Sequence, residues 1–223
     1  MSDFVEFRAK GRAALLSGQA THDLPMVEGA QRWGLAAVLR PTGEVLDRLT
    51  GLSATIEAPG HWVHGRRTLH LTLRSLEPYR HEVPAHDPLR RAYACALAEA
   101  VAGLPPARVR LVGVSPHAGG VVACGYPQDD ALGTMWRRLA RGLAARGVKD
   151  LEHDRVRDRW YISLVHFAAP LADPHKIVEW CDAHAGTDFG VAELTRAEIV
   201  QYVHTGTSIR IESLERAEAT GRH

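Results

Sequence analysis

The sequence predicts an α+β fold on a duplicated, bilobal plan, and three observations carry that prediction. The run Thr68–Leu76 alternates, with Leu69, Leu71 and Leu73 on one strand face and Thr68, His70, Thr72 and Arg74 on the other. Trp160–Ala168 is a second strand-like run, rich in aromatic and β-branched residues, with His166 near its end. Around these runs, helix-period and strand-period segments follow in the order β-α-β-α-β-β-α-β-α-β-β, so each half carries one histidine strand.

The elements follow in order. Residues 3–17 read as a helix, with Phe4, Phe7, Ala14 and Leu15 near helical spacing and Ser17-Gly18 as its stop. Residues 18–31 read as a loop broken by Pro25 and Gly29, and this leader of residues 1–31 is expected to dock on the main body. The bilobal domain is expected to span 32–217, its lobes interleaved around a groove, with 218–223 as a frayed tail. Arg32–Arg40 reads as a buried strand, and Pro41-Thr42 opens a helix over 43–54 with Val45, Leu46, Leu49 and Leu52 on one face. Pro59-Gly60 makes a turn before the first histidine strand at 66–76. Asp87-Pro88 begins a helix over 88–103, stopped by Gly103, Pro105 and Pro106. Residues 109–114 and 120–125 form a hairpin through Ser115–Gly119. Asp129 and Asp130 cap a helix over 130–146, and Asp173-Pro174 starts another over 174–184. Strands at 191–203 and 207–215 close the chain.

Composition narrows the function. The 223 residues suffice for one large domain or two small lobes around a real core. Lys+Arg 27 against Asp+Glu 26 leaves a net charge of +1, which argues against a polyanion-coating protein but leaves room for a local basic cleft. Lysine occurs only at Lys10, Lys149 and Lys176; the arginine excess suits bidentate phosphate contacts, and a GC-rich genome would produce it as well. Cys95, Cys124 and Cys181 are dispersed, an odd count without CxxC, so neither a disulfide framework nor a cysteine zinc site is indicated. The chain opens without a basic-then-apolar leader, and no apolar run approaches the ~18 residues of a membrane span. A soluble, monomeric, cytoplasmic protein with no membrane partner is expected.

One histidine per lobe on strands lining a groove suggests an acid–base pair, because an imidazole titrates near 6.5 and can take or give a proton at neutral pH. Such a pair suits phosphodiester transfer without a metal or cofactor. Thr72, one pleat from His70, would hold a non-bridging phosphate oxygen. His61 and His64 near His70 could suggest a metal cluster, but no acidic or cysteine partner completes a recognised spacing, and His61 and His64 fall on opposite faces of a strand. Neither Walker A, GxGxxG nor GxSxG is present. Most tryptophans fit core faces; Trp62 is the candidate to stack a base.

Leu69-His70-Leu71-Thr72-Leu73 resembles the His-x-Thr-hydrophobic motif of the 2H phosphoesterases, a family that includes RNA ligase-like enzymes and cyclic phosphodiesterases and carries two such motifs on a duplicated α+β fold. The resemblance covers residues 32–215 in element order. It implies His70 and His166 as the catalytic pair, no cofactor, and a nucleotide or RNA end bearing a 2',3'-cyclic phosphate, or a 2'-5' linkage, as the partner. It also implies a Thr or Ser two residues after the second histidine, where this chain has Ala168. Ser163 is an odd number of residues from His166 and faces away from it unless a bulge intervenes. Tyr202 is a replacement donor by resemblance, and Arg74 and Arg159 are further phosphate-contact candidates. A nucleotide-binding module with lost turnover, or a cyclic-phosphate hydrolase of a small metabolite, fits the same residues.

Overall fold

A computed structural model describes residues 4–149, 151–152, 156–205 and 208–221. The elements run α1 (Phe4–Leu16), β1 (Ala36–Leu39), α2 (Gly43–Ser53), β2 (Trp62–Val63), β3 (Leu71–Ser75), α3 (Pro88–Val101), β4 (Ala107–His117), β5 (Gly120–Pro127), α4 (Ala131–Ala144), β6 (Trp160–His166), α5 (Pro174–Ala183), β7 (Asp188–Leu194), β8 (Arg196–His204) and β9 (Ile209–Glu218). Asp87 and Asp173 each accept hydrogen bonds from two backbone amides of the helix they precede, with proline in the first turn.

Among the described residues the strands form a nine-stranded sheet in the order β7-β4-β5-β6-β3-β1-β8-β9, with β2 paired to β6. Every pairing is antiparallel. The two expected lobes are therefore two four-stranded halves of one sheet, meeting where Leu71 of β3 pairs Ile162 of β6. The halves interleave in sequence. The run expected as one strand at 191–203 is two: β7 pairs β4 at one edge, the chain breaks at Thr195, and β8 pairs β1 in the other half. Nothing in an unbroken β-propensity run marks such a crossing.

The helix-facing side carries the larger core, with Leu49, Tyr93, Leu97, Leu139 and Ile177 packed on Leu39, Leu73, Ile162 and Ile199. The other face carries a smaller cluster of Ala36, Val38, Trp62, Val200 and Tyr202. On β1 and β8 these two sets alternate, as the strand period of two requires. Residues 219–221 are pinned rather than frayed: the Ala219 amide donates to the Thr195 carbonyl and the Gly221 amide to the Leu104 carbonyl.

Helix α1 docks on the body, across β4. Phe4, Gly11 and Leu15 are its buried positions, Arg12 pairs with Asp182 of α5, and Arg8 donates to the Ala185 carbonyl. A Cβ at Gly11 would lie 2.0 Å from the Pro116 carbonyl oxygen, so only glycine permits this approach. Gly11→Ala should therefore push α1 off β4 and destabilise by about 1–3 kcal/mol. Thermal unfolding of the variant checks this; an unchanged melting temperature would contradict it.

Candidate active site

The sheet junction sets the site. On β3, Val38↔Thr72 and Ala37↔Arg74 are successive pairs, so Leu73 is the extra residue of a β-bulge. On β6, Val121↔Val165 and Val122↔Ser163 are successive pairs, so Leu164 is the extra residue of another. Each bulge flips the parity of the side chains beyond it. His70, Thr72 and Ser75 thus share one face of the first strand, and Tyr161, Ser163 and His166 share that face of the second. All six line one cavity of about 390 Å³.

The register is twofold about the Leu71–Ile162 pair. It matches Leu73 to Leu164, His70 to Tyr161, Thr72 to Ser163 and Ser75 to His166. The counterpart of His70-Leu71-Thr72 is therefore Tyr161-Ile162-Ser163. The second hydroxyl is that of Ser163, which an ideal strand would have turned away from His166. Ala168 lies beyond the end of β6, packed against the Trp62–Tyr202 cluster, with its amide donating to His61 Nδ1.

The imidazoles are held by specific partners. His70 Nδ1 donates to the Thr68 carbonyl at 2.7 Å, which leaves Nε2 as an acceptor for the Tyr202 hydroxyl at 3.0 Å. His166 Nδ1 lies 2.7 Å from Nε2 of His64, and both rings are buried. Gly120 stands between His166 and His117 in the strand row, and a Cβ there would meet the Val165 carbonyl oxygen at 2.1 Å. Trp33 crosses the cluster edge-on, its ring centroid 4.7 Å from that of His166 and 5.2 Å from that of Tyr202. It adopts φ 66°, a left-handed conformation costing a bulky residue about 1–3 kcal/mol, which these contacts sustain.

Burial dominates the electrostatics. It lowers His70 to about 4, against the Thr68 carbonyl, which favours the charged form. It lowers His64 to about 3, and His166 well below its ordinary value, with the neighbouring imidazoles adding to the effect. Burial raises the Tyr202 hydroxyl. The cavity's arginines are Arg32 and Arg157, paired with Asp23 at 2.8 Å and Glu152 at 3.2 Å.

Three expected contacts fall elsewhere. Arg74 lies beyond the Leu73 bulge and turns to the helix side, its guanidinium 5.5 Å over the Trp136 ring. Arg159 faces α1, 5.7 Å over the Phe7 ring. Trp62 is 4% exposed in the wall behind Trp33 and offers no open face to a base. Trp33, Tyr161, Arg32 and Arg157 line the cavity without any sequence motif to announce them, and His64, which the sequence offers only as a metal ligand, stands behind it. The alternation of Tyr161 with Ser163 was a usable signal for one of these pairs. Among the described residues no group of three or more His, Cys, Asp or Glu side chains is arranged to hold a metal ion, and no helix is long and apolar enough to cross a membrane.

The half-barrel of antiparallel strands with helices on its outer side is a fold shared with solved LigT-like structures. No protein-family model matches the sequence, and no curated protein matches it. Solved structures do. TT0787 of Thermus thermophilus is similar at 19% identity and TM-score 0.62, over 85% of this chain and 99% of that one. A phosphoesterase is similar at 17% identity and TM-score 0.55, over 83% and 98%. Escherichia coli LigT in complex with 3'-AMP is similar at 15% identity and TM-score 0.57, over 84% and 98%.

The buried imidazoles make stability pH-dependent. Their folded values lie below the unfolded value near 6.5, so unfolding takes up protons as pH falls. Their stabilising contribution is complete above about pH 6.5 and is lost toward about pH 4, at about 1.4 kcal/mol per pH unit for each histidine. Denaturant titrations between about pH 8 and pH 5 should show the midpoint falling with acid, more shallowly in His70→Gln. A midpoint independent of pH would contradict the neutral buried cluster.

Proposed function

We propose that the cavity is the active site of a metal-independent phosphodiesterase or 2'-5' RNA ligase-like enzyme. Its substrate is a 2',3'-cyclic phosphate or a 2'-5' linkage of RNA or a nucleotide. The observation that carries this reading is the convergence of His70, Thr72, Ser163 and His166 on one cavity from two paired strands. The likeness to LigT, solved with 3'-AMP, with ATP and with NADP+, supports a nucleotide ligand.

The chemistry follows from the side chains. Water attacks phosphorus and a neutral imidazole takes its proton. The phosphorus–oxygen bond to the leaving ribose oxygen breaks, and the second imidazole, protonated, supplies that oxygen with a proton. His70 and His166 exchange these roles with the direction of reaction. In a 2'-5' linkage the attacking or leaving group is a 2'-hydroxyl, with the same proton inventory. Each transfer contributes typically ~10²–10⁴-fold. Thr72 and Ser163, related by the twofold, donate to the non-bridging oxygens as charge develops. Both imidazoles rest neutral because they are desolvated. A bound phosphate anion favours protonation of one of them, so substrate completes the acid–base pair.

Tyr161, which occupies the register position of His70, favours a second reading: a nucleotide- or RNA-end binding module with little turnover. Hydrolysis of 2',3'-cyclic nucleotides in EDTA separates the two. The enzyme reading expects turnover that falls at least about a hundredfold in His70→Ala and in His166→Ala, and about tenfold or more in Thr72→Ala and Ser163→Ala. Ala168→Thr should change little. Retained binding of 2'-AMP without turnover, and a gain of turnover in Tyr161→His, would instead establish the binding module.

A further inference from the structure

His70 and His166 are oriented by different means. His70 leans on a backbone carbonyl two residues upstream, that of Thr68. His166 leans on a side chain, with its Nδ1 2.7 Å from His64 Nε2. His64 is 2% exposed, and its backbone amide donates to the carbonyl of Leu164 at 2.8 Å. Leu164 is the bulge residue that turns His166 to the cavity. The holder of the ring is thus tied to the same distortion that aims the ring.

The acceptors around these rings assign the protons. The Thr68 carbonyl, which bonds His70 Nδ1, also favours a proton on the His64 imidazole. A carbonyl only accepts, so its favour goes to a proton on Nδ1, the His64 nitrogen that does not face His166. His64 Nε2 is then a lone pair, since protonating both nitrogens would bury an imidazolium. The remaining partner must be the donor: His166 Nδ1 carries the proton, and His166 Nε2 is left unprotonated for the cavity. One carbonyl thereby indexes both imidazoles, His70 directly and His166 through His64.

We propose that His64 is a positioning residue that locks His166 in the Nδ1–H tautomer and presents its unprotonated Nε2 to the phosphodiester. The catalytic consequence rests on the reading of the cavity given above; the tautomer lock does not. A free neutral imidazole favours the Nε2–H form, in which His166 could not act as a base toward the cavity. The arrangement places a neutral imidazole where many hydrolases place a carboxylate behind the base. It orients the ring without adding a negative charge that would oppose an incoming phosphate.

The test is nitrogen-15 spectroscopy of the full-length protein labelled at histidine, with His166 assigned through its own substitution. In the unsubstituted protein at neutral pH, His166 should show a protonated Nδ1 and an unprotonated Nε2. His64→Leu should shift His166 toward the Nε2–H form and lower kcat on 2',3'-cyclic AMP about tenfold to a hundredfold, with KM within about threefold. His64→Gln, whose side-chain oxygen can accept from Nδ1, should restore the tautomer and most of kcat. An Nε2–H tautomer in the unsubstituted protein, a tautomer unmoved by His64→Leu, or a folded His64→Gln protein with His166 in the Nε2–H form would each overturn the proposal. The expected tautomer response in a chain with no turnover would keep His64 in its role and remove the catalytic reading instead.

Discussion

The pairing of Leu71 with Ile162, flanked on each strand by a β-bulge, is the constraint on which the site depends. Without the bulges, a period of two would send Ser75 and Arg74 to exchanged faces on β3, and would separate Ser163 from His166 on β6. With them, each strand offers three side chains to the same cavity, and the register relates the two sets by a twofold. The hydroxyls obey that symmetry, Thr72 against Ser163. The imidazoles do not, because the twofold maps His70 onto Tyr161 and His166 onto Ser75.

That asymmetry has electrostatic consequences. The three clustered imidazoles and Tyr202 are buried, so each must find a partner or remain neutral. They find one another: Tyr202 donates to His70, and His166 and His64 share one proton between facing nitrogens. Thr68 and Trp33 close the arrangement, one as an acceptor and the other as an edge-on wall. The cavity's arginines are already paired with carboxylates, so a phosphate entering it would compete for Arg32 and Arg157 rather than meet bare positive charge.

Much of this was legible in the sequence where local pattern decides structure. The alternation of Leu69, Leu71 and Leu73 fixes the buried side of β3 and places His70 and Thr72 together on the cavity. Asp87-Pro88 and Asp173-Pro174 mark helix starts that the caps show. Tyr202 was named by resemblance and does reach His70. What escaped depends on non-local pairing. A bulge leaves no local signature at Leu73 or Leu164, so strict alternation puts Arg74 on the cavity face and Ser163 away from His166, and the structure reverses both. Trp62 offered an aromatic ring but not its burial, which Trp33 imposes from another segment. His64 suggests in sequence only a metal cluster that no spacing completes, because its partner His166 is far along the chain.

In the proposed site both imidazoles face one phosphate. Titration of 2'-AMP into the histidine-labelled protein, followed by nitrogen-15 shifts across pH, tests it most directly. A bound phosphate anion should raise the pKa of His70 and of His166 together, in one saturable event in the presence of EDTA. A shift confined to one of the two, or binding that leaves both unmoved, would contradict a shared two-histidine site.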